Sequence, residues 1–335
     1  MLQPNATHSK PFSLIIVYHD QISSLHLNFL IDALNQQHNK QFNSFWIDQT
    51  HDPSKLYRSL SEQAQFSWYL FQTDYPVVAG VRCWELISAF AQLMEHPAMG
   101  KWFSYLHLEC LPRPDFVGHL LDVLPEIENH YGPDTVYILH QLWCDLSVEE
   151  LDAKHYWQQL ELSDPKLWFK KVSYATYKQH MQLAYYEYRW EDDAFAMSSD
   201  FARRLQLFSA VKLPLYFQDV FDIFEWLLRT QKPYAEAIRW VRIQDAVIYH
   251  LLHPRPFKEY SREFLDSVKE RPDLFGHLSL FDLAQTSAFY QEAKHLRQQS
   301  WTSAELNQMY NDVRWRERGT VSLWLQALDR AHGMR

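Results

Sequence analysis

Glycine is scarce, with 7 residues in 335, and no low-complexity linker or internal repeat breaks the chain. Cysteine is rarer still. Cys83, Cys110 and Cys144 are odd in number and widely spread, which excludes a disulfide framework and points to a reducing compartment. No stretch approaches the roughly 20 apolar residues of a membrane span, and Met1 to Lys10 lacks the apolar core of a signal peptide. The expectation is a soluble, cytoplasmic protein without a transmembrane span, in which the sequon Asn5-Ala6-Thr7 carries no meaning. Basic excess is also missing. A formal net charge of −9 excludes a general nucleic-acid binder, whose phosphate contacts need a basic footprint.

What the chain has in plenty is apolar and aromatic surface. Hydrophobic residues make up 47% and aromatic ones 16%, including 13 Trp, so the chain folds into a globular body of one large domain or two unequal ones. The acid is unevenly placed. Residues before Arg239 hold 18 Lys and Arg against 29 Asp and Glu, a setting that suits a cation-dependent site.

Residues 12 to 18, Phe-Ser-Leu-Ile-Ile-Val-Tyr, read as a buried parallel strand. Leu27, Leu30, Ile31 and Leu34 then recur at helical spacing, and Asn43 to Asp48 follows as a second strand. This is a βαβ unit, and ligands bind at the carboxyl ends of such strands, where Asp20 and Asp48 stand. Further along, the patterning predicts a weak strand at Val77 and Val78, a helix from Cys83 to Met94 and a strand from Trp102 to Leu108. A helix from Phe116 to Leu124 capped by Asp115, and a strand from Thr135 to Leu142, come next. From 147 to 182 the pattern loosens and assigns nothing. Helices are expected at Phe201 to Phe208 and Val220 to Arg229, and after Pro254 almost everything reads as helix. The expected organisation is an α/β domain over 1–245 with a helical extension over 246–335.

In "KWFSYLHLECLPRPDF", residues 101 to 116, the alternation Phe103, Tyr105, His107, Glu109 puts His107 and Glu109 on one face of a strand end. Pro112 and Pro114 then limit its continuation. The plain alternative is a solvated strand end.

Taken together, "FSLIIVYHDQ", "LIDALNQQ", "FNSFWIDQT" and "AMGKWFSYLHLECLPRPDFV" resemble, in order and spacing, the landmarks of family 2 glycosyltransferases of the GT-A fold over about the first 120 residues. The resemblance implies a Rossmann-like, mostly parallel central sheet flanked by helices, and a nucleotide-sugar donor. On it, Tyr18 and Asp48 would face the donor's nucleotide. His107-Leu108-Glu109 would occupy the place of the Asp-x-Asp triad, with Glu109 and His107 at a Mg²⁺ or Mn²⁺ ion. His107 departs from the triad's first acid: it can hydrogen-bond a ribose but is a poorer partner for these ions. Asp48-Gln49-Thr50 also lacks the family's Asp-Gly-Ser.

A second segment, "LPLYFQDVFDIFEWLLR", resembles the family's acceptor side, with Gln218 in place of a Glu and Asp219 retained as the implied general base of an inverting transfer. The acceptor could be a saccharide, a lipid-linked molecule or a protein. The altered triad keeps open a catalytically inactive GT-A scaffold that binds a saccharide or protein, and an unrelated α/β protein would scatter Asp48, Glu109 and Asp219.

Other clusters read more plainly. Trp190-Glu191-Asp192-Asp193 is a solvated acidic turn or a metal ligand set. His250 and His253 have the spacing of a helical zinc pair, but no Cys or acid at ligand spacing completes them. Cys110 reads as a buried thiol. Val321, Trp324, Leu325 and Leu328, preceded by Arg314, Arg316 and Arg318, form a stripe for core or partner packing, with peripheral docking on an anionic membrane as the sharper reading.

Overall fold

A computed structural model describes residues 9–18, 24–48, 50, 52–72, 90, 92–167, 173–180, 183–187, 194–204 and 239–253. The first strand, β1 (Phe12–Tyr18), is buried at every position. Its apolar run is covered by α1 (Ser24–Asn35), whose Leu27, Leu30, Ile31 and Leu34 form the inward stripe that the spacing predicts. Strand β2 (Phe42–Asp48) returns parallel to β1, with Tyr18 opposite Asp48.

Then come α2 (Pro53–Gln63) and β3 (Ser67–Gln72), which periodicity leaves unassigned. Local chemistry starts α2. The Asp52 carboxylate accepts from Ser54 N at 3.0 Å, and Pro53 occupies the first turn, where its missing N–H costs nothing.

Strand β4 (Trp102–Leu106) lies on the other side of β1, and β5 (Cys110–Pro112) follows after three residues. Helix α3 (Phe116–Tyr131) starts where the sequence predicts but is capped differently. The Asp115 carboxylate turns to Arg113 Nη2 at 2.7 Å, and the Val117 N–H is met by Gln37 Oε1 at 3.1 Å. The long β6 (Thr135–Ser147) leads to the stretch that sequence patterning leaves open. It holds α4 (Tyr156–Leu162), β7 (Lys166–Leu167) and α5 (Tyr174–His180). The described elements close with β8 (Tyr185–Glu187), β9 (Phe195–Ser198), α6 (Ser199–Arg204) and β10 (Arg239–Leu252).

The main path of the sheet runs β3-β2-β1-β4-β9-β6-β10-β5. Both β4 and β6 are antiparallel to β9, so β3, β2, β1, β4, β6 and β10 share one direction and the sheet is mostly parallel. It is also curled. Leu106 and Cys110 are joined by a tight turn with a reach of at most roughly 14 Å, whereas β4 and β5 stand four strand spacings apart along the path, about 19 Å if flat. Only a sheet bent back on itself lets one turn join them.

Strand β10 forms the far wall. Between Arg242 and Val247 it advances five residues while its partner β6 advances two, from Ile138 to His140. This bulge is where its other neighbour changes from β8 to β5. Pro112 is accommodated because, among the described residues, β5 ends the path and pairs with β10 alone. The sheet thus continues through residue 245 to Leu252. Residues 254–335, where the helical extension is expected, lie outside the described residues, as do Val77, Val78, the segment 190–193 and Val220 to Arg229. Among the described residues, no helix is long and apolar enough to cross a membrane.

Candidate metal and donor site

The turn joining β4 to β5 is His107-Leu108-Glu109. Strand alternation does not extend through it: β4 ends at Leu106, and Cys110 N donates to His107 O at 3.1 Å. Leu108 is buried beneath the turn. His107 and Glu109 still end on the same side, with Nδ1 of His107 3.6 Å from Oε1 of Glu109. The backbone of Glu109 is fixed from across the sheet, where Leu251 N donates to its carbonyl at 3.0 Å.

That antiparallel contact brings the end of β10 to the turn. Nε2 of His250 lies 3.7 Å and Nε2 of His253 3.5 Å from the same Glu109 Oε1. Three imidazoles therefore surround one carboxylate oxygen at distances at or beyond the limit of a hydrogen bond. Two ligands of one ion, each about 2.0 to 2.2 Å from it in tetrahedral geometry, stand roughly 3.4 Å apart, so the spacing fits a shared ion. Glu109, His250 and His253 each offer a ligand atom within 4.8 Å of the others. Glu109 Oε2 is buried and has no hydrogen-bond partner among the described residues.

The electrostatics agree with this fit. Burial alone would raise the Glu109 carboxyl, but the facing imidazoles of His107, His250 and His253 outweigh it and hold it well below the ordinary carboxylate range. Burial pushes His250 down to about 4 against the opposing pull of Glu109, so at pH 7 its ring is neutral and offers a lone pair. Trp143 stacks on that ring with centroids 4.9 Å apart and planes 8° from parallel.

Two strands away along the same edge, Asp48 ends β2 fully buried. Its Oδ1 accepts from Thr50 N at 2.9 Å and Thr50 Oγ1 at 2.7 Å. Tyr18 ends β1 beside it, and the pairing of Ile16 with Leu106 sets β1 next to β4. Asp48, Tyr18 and the His107–Glu109 turn thus line the carboxyl edge of three adjacent parallel strands. Asp219 lies outside the described residues.

No protein-family model matches the sequence, and no curated protein matches it. Solved structures do resemble it. The chain superposes on GalNAc-T7, solved with UDP, GalNAc and Mn²⁺, with a TM-score of 0.50 and 12% identity, over 97% of this chain and 59% of that one. It therefore spans about 59% of that relative's length. A fragment of S. aureus TarS in complex with UDP-GlcNAc gives a TM-score of 0.45 and 12% identity over 84% of this chain and 71% of the other.

The fold is that of the GT-A glycosyltransferases.

The sequence points to His107 and Glu109; in the structure His107 Nδ1 stands 3.6 Å from Glu109 Oε1, and Glu109, His250 and His253 form a group that could hold a metal ion. The spacing of those two histidines suggests a helical turn, but His250 lies in β10 and His253 just beyond it. The signal for a strand was the β-branched and aromatic content of Val241, Ile243, Val247, Ile248 and Tyr249. Nothing local marked Trp143 as the ring beneath His250.

Proposed function

We propose that this chain is a glycosyltransferase that moves a sugar from a nucleotide-diphosphate donor to an acceptor hydroxyl, with inversion. The observation that carries the reading is the convergence of Glu109, His250 and His253 on the carboxyl edge of a GT-A sheet, beside Asp48 and Tyr18. The UDP, GalNAc and Mn²⁺ in the GalNAc-T7 structure support a donor and ion of this kind.

Asp48 and Tyr18 would hold the nucleotide, and His107 would donate a hydrogen bond to ribose or diphosphate. Glu109, His250 and His253 would hold a divalent ion, which when bound neutralises charge on the departing diphosphate. Asp219 would take the proton from the acceptor hydroxyl as that oxygen bonds to the anomeric carbon and the carbon–diphosphate bond breaks. The acceptor is a saccharide, a lipid-linked molecule or a protein.

A second reading has its own observation. With His107 in place of an acid, the turn supplies one carboxylate, which favours a GT-A scaffold that binds a saccharide or protein without turnover. Thermal-shift measurements with UDP- and GDP-sugars, with and without divalent ion, test both. The enzyme gives ion-dependent stabilisation by one donor and release of its nucleoside diphosphate with acceptor. Stabilisation without release selects the scaffold, and no stabilisation by any donor removes sugar transfer.

A further inference from the structure

We infer that the centre at the β4–β5 turn selects an imidazole-loving transition ion, Zn²⁺ or Co²⁺, over Mn²⁺ and rejects Mg²⁺. This rests on the reading of Glu109, His250 and His253 as an ion site, and not on sugar transfer itself.

The donor atoms decide it. Two ring nitrogens and one carboxylate face the same point, with Nε2 of His250 3.7 Å and Nε2 of His253 3.5 Å from Glu109 Oε1. Mg²⁺ demands near-octahedral oxygen ligands and dehydrates reluctantly, and one carboxylate does not meet that demand. Nitrogen donors instead favour the later first-row ions, in the order Mn²⁺ below Co²⁺ below Ni²⁺, with Zn²⁺ also above Mn²⁺. Charge points the same way: a single buried carboxylate gives a mild field for a hard cation, whereas covalency with imidazole adds to the binding of a softer one.

The site is also built rather than incidental. Glu109 is 6% exposed and His250 8%, and Oε2 of Glu109 is a buried acceptor without a partner among the described residues. The turn is closed by the Cys110-to-His107 hydrogen bond and clamped to β10 by that from Leu251 to Glu109. Trp143 holds the plane of His250. Rings held before binding lose little freedom when an ion arrives, and fixed ligands cannot rearrange to suit a wrong one.

The test is direct ion binding to the full chain after chelator treatment, by calorimetry with Zn²⁺, Co²⁺, Mn²⁺ and Mg²⁺, and by the visible absorption of bound Co²⁺. Expected are one Zn²⁺ or Co²⁺ per chain, bound tighter than Mn²⁺ by a factor on the order of 100, with intense Co²⁺ bands and no Mg²⁺ binding at millimolar levels. His253→Ala should weaken Zn²⁺ by a factor on the order of 100 and bleach the Co²⁺ bands. That residue follows the strand, so the sheet does not depend on it; His250→Gln gives a second reading inside the strand. Mg²⁺ binding as tight as Zn²⁺, or Zn²⁺ binding unchanged in both variants, overturns the inference. Selective Zn²⁺ binding without stabilisation by any nucleotide sugar upholds it and removes the sugar-transfer reading. Donor stabilisation that Mg²⁺ alone supports does the reverse.

Discussion

Nε2 of His253 stands 3.5 Å from Oε1 of Glu109, although Glu109 belongs to the first half of the chain and His253 directly follows its last described strand. The contact follows from the curl of the sheet. Once β5 returns beside β10, the β4–β5 turn and the carboxyl end of β10 meet at one edge, and their polar side chains share a single point.

The same burial makes stability fall with acid. His250 is pushed down to about 4, and burial, aided by Arg242 and Lys178, lowers fully buried His140 well below its ordinary value. Both rings bind protons more weakly folded than unfolded. Above about pH 6.5 neither state is protonated and there is no penalty; below it the unfolded chain takes up protons first, and stability drops until His250 itself titrates near 4. His250 alone accounts for a loss of about 3 kcal/mol. Urea unfolding of metal-free protein from pH 7.5 to 4.5 should show this decline, and His250→Phe should make it shallower, leaving the share due to His140. A midpoint constant from pH 7 to 5 would contradict the assignment.

Gly100 should not tolerate a side chain. A Cβ there would lie 2.7 Å from the carbonyl oxygens of Lys10 and Pro11 and 2.8 Å from the Phe12 carbonyl carbon, all backbone atoms that cannot swing aside. Its N–H donates to Ser13 Oγ at 2.8 Å and its carbonyl accepts from Ser199 Oγ at 2.7 Å, which joins the starts of β1, β4 and α6. Gly100→Ala is expected to destabilise by about 1 to 3 kcal/mol, read by denaturant unfolding.

Two substitutions at Asp48 separate architecture from recognition. Asp48→Asn keeps an oxygen for the Thr50 N–H and hydroxyl and should cost under about 1 kcal/mol in stability, whereas Asp48→Ala strands both donors and should cost about 1 to 3 kcal/mol. If Asp48 contacts the donor nucleotide, both variants lose donor affinity on the order of 10-fold or more, measured by calorimetry. Unchanged affinity in Asp48→Asn would remove Asp48 from the site.

The β1-α1-β2 unit is legible in the sequence because each element is uniform. Phe12–Tyr18 is apolar throughout, and α1 repeats leucine and isoleucine at helical spacing. Sequence patterning leaves α2 unassigned, although the cap at Asp52 and Pro53 and the buried pair Leu56 and Leu60 at helical spacing both mark it. β10 hides for the opposite reason. It buries Arg242, Gln244 and His250, and its bulge breaks the two-residue period, so the alternation is lost and polar residues interrupt the apolar run, leaving only its β-branched and aromatic content as a signal. Glu109 is recoverable from its place before the proline-rich loop. Its partners are not, because they reach it through a sheet pairing that no local pattern encodes.

The central claim is that the Glu109 carboxylate anchors an ion on which donor binding depends. The most direct measurement is the thermal shift given by nucleotide-diphosphate sugars in the presence and absence of Zn²⁺, Co²⁺ or Mn²⁺, on the wild type and on Glu109→Ala. The account predicts that the wild type is stabilised by one donor only when the ion is present and that Glu109→Ala loses the effect. A donor shift that survives unchanged in Glu109→Ala would contradict it.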